Sequence, residues 1–190
     1  MLDKRLMSPE RRKLLGAFAG IATIAAAPAY SGVFGFLKGA GNIRQIKLQA
    51  QRSGEHINII YWIDGKYVKP ALKEISMVMR DWRNDQFMEM DPNNIDNIAA
   101  VQQILETDES FMLLSGYRTP STNAMLAARS RRVAKDSYHT KGMAADLRMQ
   151  SRSMKQVAAA AQALNGGGVG RYYRANFTHI DSGPRRTWVS

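Results

Sequence analysis

The stretch from Phe111 to Asp146 constrains this chain more than any other. Phe111-Met112-Leu113-Leu114 reads as a short buried strand, because a brief apolar run bounded by turn residues suits a covered strand. It leads into Ser115-Gly116-Tyr117-Arg118-Thr119-Pro120. Ser121 can then cap a helix from about Thr122 to Arg132, its hydroxyl accepting from a free backbone N–H of the first turn. After that helix comes Ser137-Tyr138-His139-Thr140-Lys141-Gly142-Met143-Ala144-Ala145-Asp146, which contains the pattern His-x-x-Gly-x-Ala-x-Asp. Gly142 and Ala144 let the backbone bend and pack closely between His139 and Asp146. The pattern therefore predicts a loop running into a strand.

The chain has three histidines, His56, His139 and His179. His179 lies in Phe177-Thr178-His179-Ile180-Asp181, among apolar strand residues. A catalytic zinc takes three N or O ligands and keeps one position open for water. His139, His179 and Asp146 satisfy that requirement, with Asp146 facing the same cleft as His179 on a neighbouring strand. The same spacing also fits a loop histidine and a strand aspartate in ordinary hydrogen bonds. No cysteine is present, so thiolate zinc sites and disulfide staples are both excluded, and a metal must be held by His, Asp or Glu. His56 reads as a surface strand residue without a role.

The rest of the chain reads as scaffold. Ile43 to Ala50 and Ile57 to Ile63 alternate as two strands joined by a turn at Arg52-Ser53-Gly54-Glu55, and Asp64-Gly65 turns into Lys66-Tyr67-Val68. Pro70 opens a helix whose buried face carries Leu72, Ile75, Met79 and Trp82 at helical spacing. A second helix runs from about Asn94 to Glu106, burying Ile95, Ile98, Val101, Ile104 and Leu105. A third, from Ser153 to Leu164, is almost all Ala on its buried side. Val169 to Tyr173 and Phe177 to Asp181 read as closing strands. No internal repeat is visible.

The first 29 residues read as an export signal, with a basic head, an apolar middle and small residues before a break. Arg11-Arg12-Lys13-Leu14-Leu15 has the look of a twin-arginine signal, and Ala27-Pro28-Ala29 offers a cleavage site. The apolar run from Leu14 to Ala29 is shorter than the roughly 20 residues a span requires. Cleavage and a retained anchor both stay open, and cleavage would leave no stable membrane insertion. Residues 30–42 read as a flexible, Gly-rich leader, and residues 43–190 as one domain. The whole chain holds 27 basic and 16 acidic residues; five and two of these precede residue 30, leaving 22 against 14, a net of +8. Such a charge favours polyanions. For an exported protein, anionic wall polymer or lipid headgroups fit better than nucleic acid, while simple solubility accounts for the charge equally well.

Together, Ser115-Gly116-Tyr117-Arg118-Thr119, the segment Ser137 to Asp146, Gly167-Gly168-Val169-Gly170 and Phe177 to Pro184 resemble the D-Ala-D-Ala zinc peptidases. That group also includes lysostaphin-type enzymes and the zinc fold of Hedgehog domains. The resemblance is closest to its periplasmic murein endopeptidases; it covers most of residues 30–190 and is strongest from Ser115 to Trp188. It implies an α+β fold in which a small antiparallel sheet carries the zinc site between flanking helices. It also implies Zn2+ on His139, Asp146 and His179, and Arg118 pointing into the cleft to hold a substrate carboxylate or an oxyanion. Ser137 resembles a substrate-contacting or ligand-orienting hydroxyl. The implied reaction is hydrolysis of peptide cross-links between peptidoglycan stems, diaminopimelate–diaminopimelate or D-Ala–diaminopimelate. Many relatives carry a Glu or a second His just before the last ligand, whereas this chain has Asn176, Phe177 and Thr178. Asp181 falls on the same face of its strand as His179 and is expected to orient that ligand or to act as base. The missing residue keeps a zinc-containing wall-binding module open as an alternative, and a carboxypeptidase trimming terminal residues is a third reading.

Overall fold

The computed structural model describes residues 42–190. The expected signal and most of the leader lie outside these residues. The elements, in chain order, are strands β1 (Ile43–Ala50), β2 (His56–Ile63) and β3 (Lys66–Tyr67), helices α1 (Lys69–Val78) and α2 (Pro92–Ile104), strand β4 (Phe111–Ser115), helix α3 (Pro120–Arg129), a 3-10 helix (Tyr138–Lys141), strand β5 (Ala144–Arg148), helix α4 (Met154–Leu164), and strands β6 (Gly168–Tyr172), β7 (Phe177–Asp181) and β8 (Arg186–Val189).

All eight strands form one sheet, in the order β3-β2-β1-β4-β5-β7-β6-β8. The fold is α+β, but the sheet is neither small nor purely antiparallel. β1 pairs with β4 in parallel, as does β6 with β8. Both parallel pairs follow from connectivity. The excursion through α1 and α2 returns the chain beside β1, and β8 comes back on the outer side of β6 after the β6–β7 hairpin.

Each strand residue's face follows from the two-residue alternation of side chains. Ala145, Leu147, Val169 and Ile180 join the main apolar core, where α2 and α4 pack on the sheet. The intervening residues Asp146, Gly168, Gly170, His179 and Asp181 therefore face the other way. α2 is buried nearly all round, from Asn94 to Gln102, as a helix between the sheet and a second helix must be. The Ala-rich face of α4 lets it approach closely, and a capping box fixes its start at Ser153. Thr119, not Ser121, caps α3, accepting from the backbone N–H of Thr122. Trp82 lies beyond the end of α1 and is partly exposed, so it is not part of that helix's buried face. Met79, the C-cap of α1, is fully buried.

One polar cluster sits inside this core. Asp96 of α2 accepts hydrogen bonds from the hydroxyls of Tyr61 and Tyr67, both at 2.8 Å, and from Arg44 at 2.9 Å. Burial, reinforced by the neighbouring carboxylate, raises the pKa of both tyrosines, so they stay protonated donors. Arg44 also stacks on Trp62, 4.0 Å from the ring centre. The cluster ties β1, β2 and β3 to α2. Removing one partner from a buried ion pair costs more than the pair itself contributes. Asp96→Ala is therefore expected to lower the unfolding free energy by about 3–5 kcal/mol, read by urea denaturation.

Candidate metal centre

The three expected ligands meet on the sheet face opposite α2 and α4. Asp146 of β5 stands directly across from His179 of β7 in the antiparallel register. His139 comes from the 3-10 helix that precedes β5, and all three residues are buried. Ser137 caps that helix, its hydroxyl accepting from the His139 backbone N–H at 3.3 Å. Gly142 ends it in the left-handed conformation at φ +68°, where a Cβ would come 2.8 Å from the Glu89 carbonyl oxygen. The glycine is thus required twice, for its torsion and for its space.

Three donor atoms converge. His139 Nε2 lies 3.2 Å from Asp146 Oδ1 and 3.2 Å from His179 Nδ1, and His179 Nδ1 lies 2.9 Å from Asp146 Oδ1. Zinc bonds of about 2.0–2.2 Å in a tetrahedral site place neighbouring donors roughly 3.3 Å apart. The triangle fits one face of such a site. Each histidine is also held by its other nitrogen. His139 Nδ1 lies 2.6 Å from the Gly116 carbonyl oxygen, and His179 Nε2 lies 2.9 Å from Asp181 Oδ2. A carbonyl can only accept, so His139 Nδ1 carries its proton and its converging Nε2 is bare. That outer support fixes the tautomer a metal requires. His179 lies between two carboxylates, so each of its nitrogens can donate, and a metal would displace the proton shared with Asp146.

Asp181 is fully buried and surrounded by donors. Besides His179 it accepts from Arg186 through both oxygens, at 2.6 and 3.0 Å, and from the backbone N–H groups of Gly168 and Gly183. Burial opposes ionisation there, but the bonds from His179 and Arg186 prevail and hold the carboxyl down at about 2. Asp181 does not line the cleft; it faces His179 from behind. Arg186 is held in turn between the rings of Tyr138 and Trp188, 4.9 Å from each centre. A Cβ on Gly168, Gly170 or Gly183 would strike Arg186, Trp188 or Tyr138 respectively. The glycines of the Gly167-Gly168-Val169-Gly170 motif thus make room for the groups behind the ligand.

Arg118 donates from Nη2 to Asp146 Oδ2 and from Nε to Ser115 Oγ at 2.8 Å, and its backbone N–H donates to the His139 carbonyl. It also lines a cleft of about 480 Å³ with Ser137, Tyr172 and Trp188, and with the three converging residues. Tyr173 is exposed at 45% and does not line it. The residues before His179 hold no base. Asn176 is a left-handed turn residue at φ +50°, Phe177 stacks on Tyr172, and the Thr178 hydroxyl donates to the Met154 carbonyl on the core side. His56 is exposed at the start of β2. Sequence reasoning missed Arg186, Trp188 and the Gly116 carbonyl. A short polar-aromatic tail and a glycine before a buried turn gave no periodic signal.

The two histidines titrate in opposite senses. Burial, with Arg118 nearby, lowers His139 to about 4. Burial also acts against charge on His179, but its hydrogen bonds to the Asp146 and Asp181 carboxylates outweigh it and raise its pKa. Asp146 is driven well below the usual range despite burial, by His139 and Arg118. A raised histidine stabilises the fold below its unfolded value of 6.5 and loses that stabilisation as pH rises through the folded value. A lowered one costs stability as pH falls below 6.5. The metal-free chain is therefore expected to be most heat-stable near pH 6.5. Zinc, which competes with the His179 proton, should raise the melting temperature more at pH 8 than at pH 6; calorimetry at these pH values checks both. Arg186→Gln is expected to weaken zinc binding about tenfold, the low end for an outer-shell change, with Arg186→Lys intermediate, as read by chelator competition.

A family model described as Peptidoglycan L,D-endopeptidase MepK matches residues 38–188. The chain is 38% identical over 181 residues to peptidoglycan L,D-endopeptidase MepK of Escherichia coli, an alignment covering 94% of this chain and 96% of that protein. It is 39% identical over 137 residues to the probable peptidoglycan L,D-endopeptidase MepK of Haemophilus influenzae, covering 72% of this chain and 74% of that protein. With the match spanning both the sheet and the His139–Asp146–His179 cluster, the chain belongs to the peptidoglycan L,D-endopeptidase MepK family.

Proposed function

We propose that this protein is a zinc-dependent endopeptidase that hydrolyses peptide cross-links between peptidoglycan stems. The bond favoured is the one joining two diaminopimelates, with the D-Ala–diaminopimelate cross-link as a second substrate. The observation that carries this reading is the triangle of His139 Nε2, Asp146 Oδ1 and His179 Nδ1 at the floor of an open cleft. The His139 imidazole is already in the tautomer a metal requires, and the proton that His179 Nδ1 shares with Asp146 would be displaced on zinc binding. When bound, zinc supplies Lewis-acid polarisation of the scissile carbonyl and lowers the pKa of water.

The chain's own residues supply the rest. Gly116 and Asp181 orient the two imidazoles. Asp181, enclosed by Arg186 and two backbone N–H groups, serves as an orienter and not as a base. Arg118 is fixed by Asp146 and Ser115, which leaves its remaining N–H donors to stabilise charge developing on the carbonyl oxygen or to hold a neighbouring carboxylate. Ser137, at the cleft wall, contacts the substrate backbone while its hydroxyl holds the loop that carries His139. The chain acts on peptide stems outside the cytoplasm, exported through its twin-arginine signal, and does not use nucleic acid. Among the described residues no helix is long and apolar enough to cross a membrane.

One observation favours the alternative of a zinc-containing wall-binding module. Among the described residues, the only carboxylate lining the cleft besides Asp146 is Asp136, which is paired with Lys141 at 2.9 Å. A digest of purified cross-linked wall peptides, followed by mass spectrometry, separates the readings. Chelator-sensitive loss of cross-linked dimers is expected, absent in His139→Ala, whereas intact dimers beside stoichiometric zinc would establish the binding module. Release of terminal residues from uncut dimers would identify a carboxypeptidase. Arg118→Gln is expected to lower kcat about 100-fold, as for loss of one oxyanion donor, while zinc remains bound.

A further inference from the structure

Among the described residues, three guanidinium groups line the cleft, those of Arg118, Arg132 and Arg186. Two are already engaged by buried carboxylates, Arg118 by Asp146 and Arg186 by Asp181. Arg132 differs. Among the described residues no carboxylate pairs with it, and the one exposed acid of the cleft, Asp136, is taken by Lys141. Arg132 also lies in a dense run of cations with Arg129, Arg131 and Lys135, none of which has a carboxylate partner among the described residues. Like charges held together without counter-ions raise the local potential for an anion.

The loop that carries Arg132 is built in place. Asn123 of α3, 3% exposed, donates from its amide to the carbonyl oxygens of Ala134 at 3.0 Å and Lys135 at 3.1 Å. Ser130 closes the turn, its hydroxyl accepting from the Arg132 N–H and its carbonyl from the Val133 N–H. A buried amide thus pins the loop to the helix, and a guanidinium without a carboxylate partner stands at the wall of the cleft whose floor is the metal triangle.

We infer that Arg132 is a specificity-determining residue that binds a free carboxylate of the stem peptide, so that cross-links with free diaminopimelate carboxylates are preferred over amidated ones. The inference rests on the endopeptidase reading. A link between two diaminopimelates keeps a free carboxylate next to the scissile nitrogen, and a guanidinium can grip it through two parallel hydrogen bonds. Amidation removes the charge and replaces an acceptor oxygen with a donor group, which arginine cannot bind in that way.

The experiment uses the full chain loaded with zinc. It compares the wild type, Arg132→Gln, Arg132→Lys and, as a control in the same loop away from the cleft, Arg131→Gln. Cross-linked dimers with free or amidated carboxylates give kcat and KM. A labelled, uncross-linked stem peptide in both forms gives binding by anisotropy, without turnover. The wild type is expected to prefer the free form about tenfold in KM and in binding, the scale of one charge-assisted hydrogen bond. Arg132→Gln abolishes the preference without changing kcat, Arg132→Lys keeps part of it, and Arg131→Gln, which removes only a neighbouring charge, keeps most of it. Equal binding of both forms by the wild type, or an undiminished preference in Arg132→Gln, would overturn the inference. Absence of cleavage with the binding preference intact would instead overturn the endopeptidase reading and leave carboxylate recognition standing.

Discussion

The pairing of β5 with β7 is the constraint on which the site depends. In that antiparallel register Asp146 faces His179, and Ala144 faces Asp181. A slip by one residue would turn all of these side chains into the helical core and expose Ala145, Leu147 and Ile180 instead. The apolar face packed by α2 and α4 thus fixes the polar face behind it. Core packing and ligand placement are the two sides of one register.

The charges on the polar face are arranged so that none is buried alone. Asp146 is matched by Arg118 and the two imidazoles, and Asp181 by Arg186, His179 and two backbone N–H groups. An isolated buried carboxylate would cost several kcal/mol and would shift toward its neutral form. Here both stay ionised. This turns His179 into a link between two carboxylates, whereas His139, bound to a carbonyl and close to Arg118, stays neutral. The environment and not the residue type separates the two histidines.

Close packing behind the ligands is achieved by omitting side chains. Gly168 and Gly170 leave room on β6 for Arg186 and Trp188 of β8, and Gly183 does so for Tyr138. The last strand, added in parallel at the sheet edge, thereby brings the Trp188 ring within 5.2 Å of the His179 ring. Gly116 has a different role. A Cβ there would strike Met79, so the glycine lets the β4 turn descend against the end of α1 until its carbonyl meets His139.

Much of this was legible in the sequence. Alternation predicted β1, β2 and β7 with nearly their observed limits. The pattern from His139 to Asp146, with His179 among strand residues, singled out the three groups that meet. These features are local, set by side-chain periodicity and by small residues at fixed spacing, so the sequence alone determined them. The parallel strand pairs, the place of Trp82 outside α1, the Thr119 cap and the service of Arg186 to Asp181 were decided only by the tertiary structure. Each joins residues whose meeting depends on how the chain returns upon itself, and no local period records that return. The same holds for protonation, because burial and neighbouring charge set the opposite behaviour of His139 and His179, and neither exists until the sheet is formed.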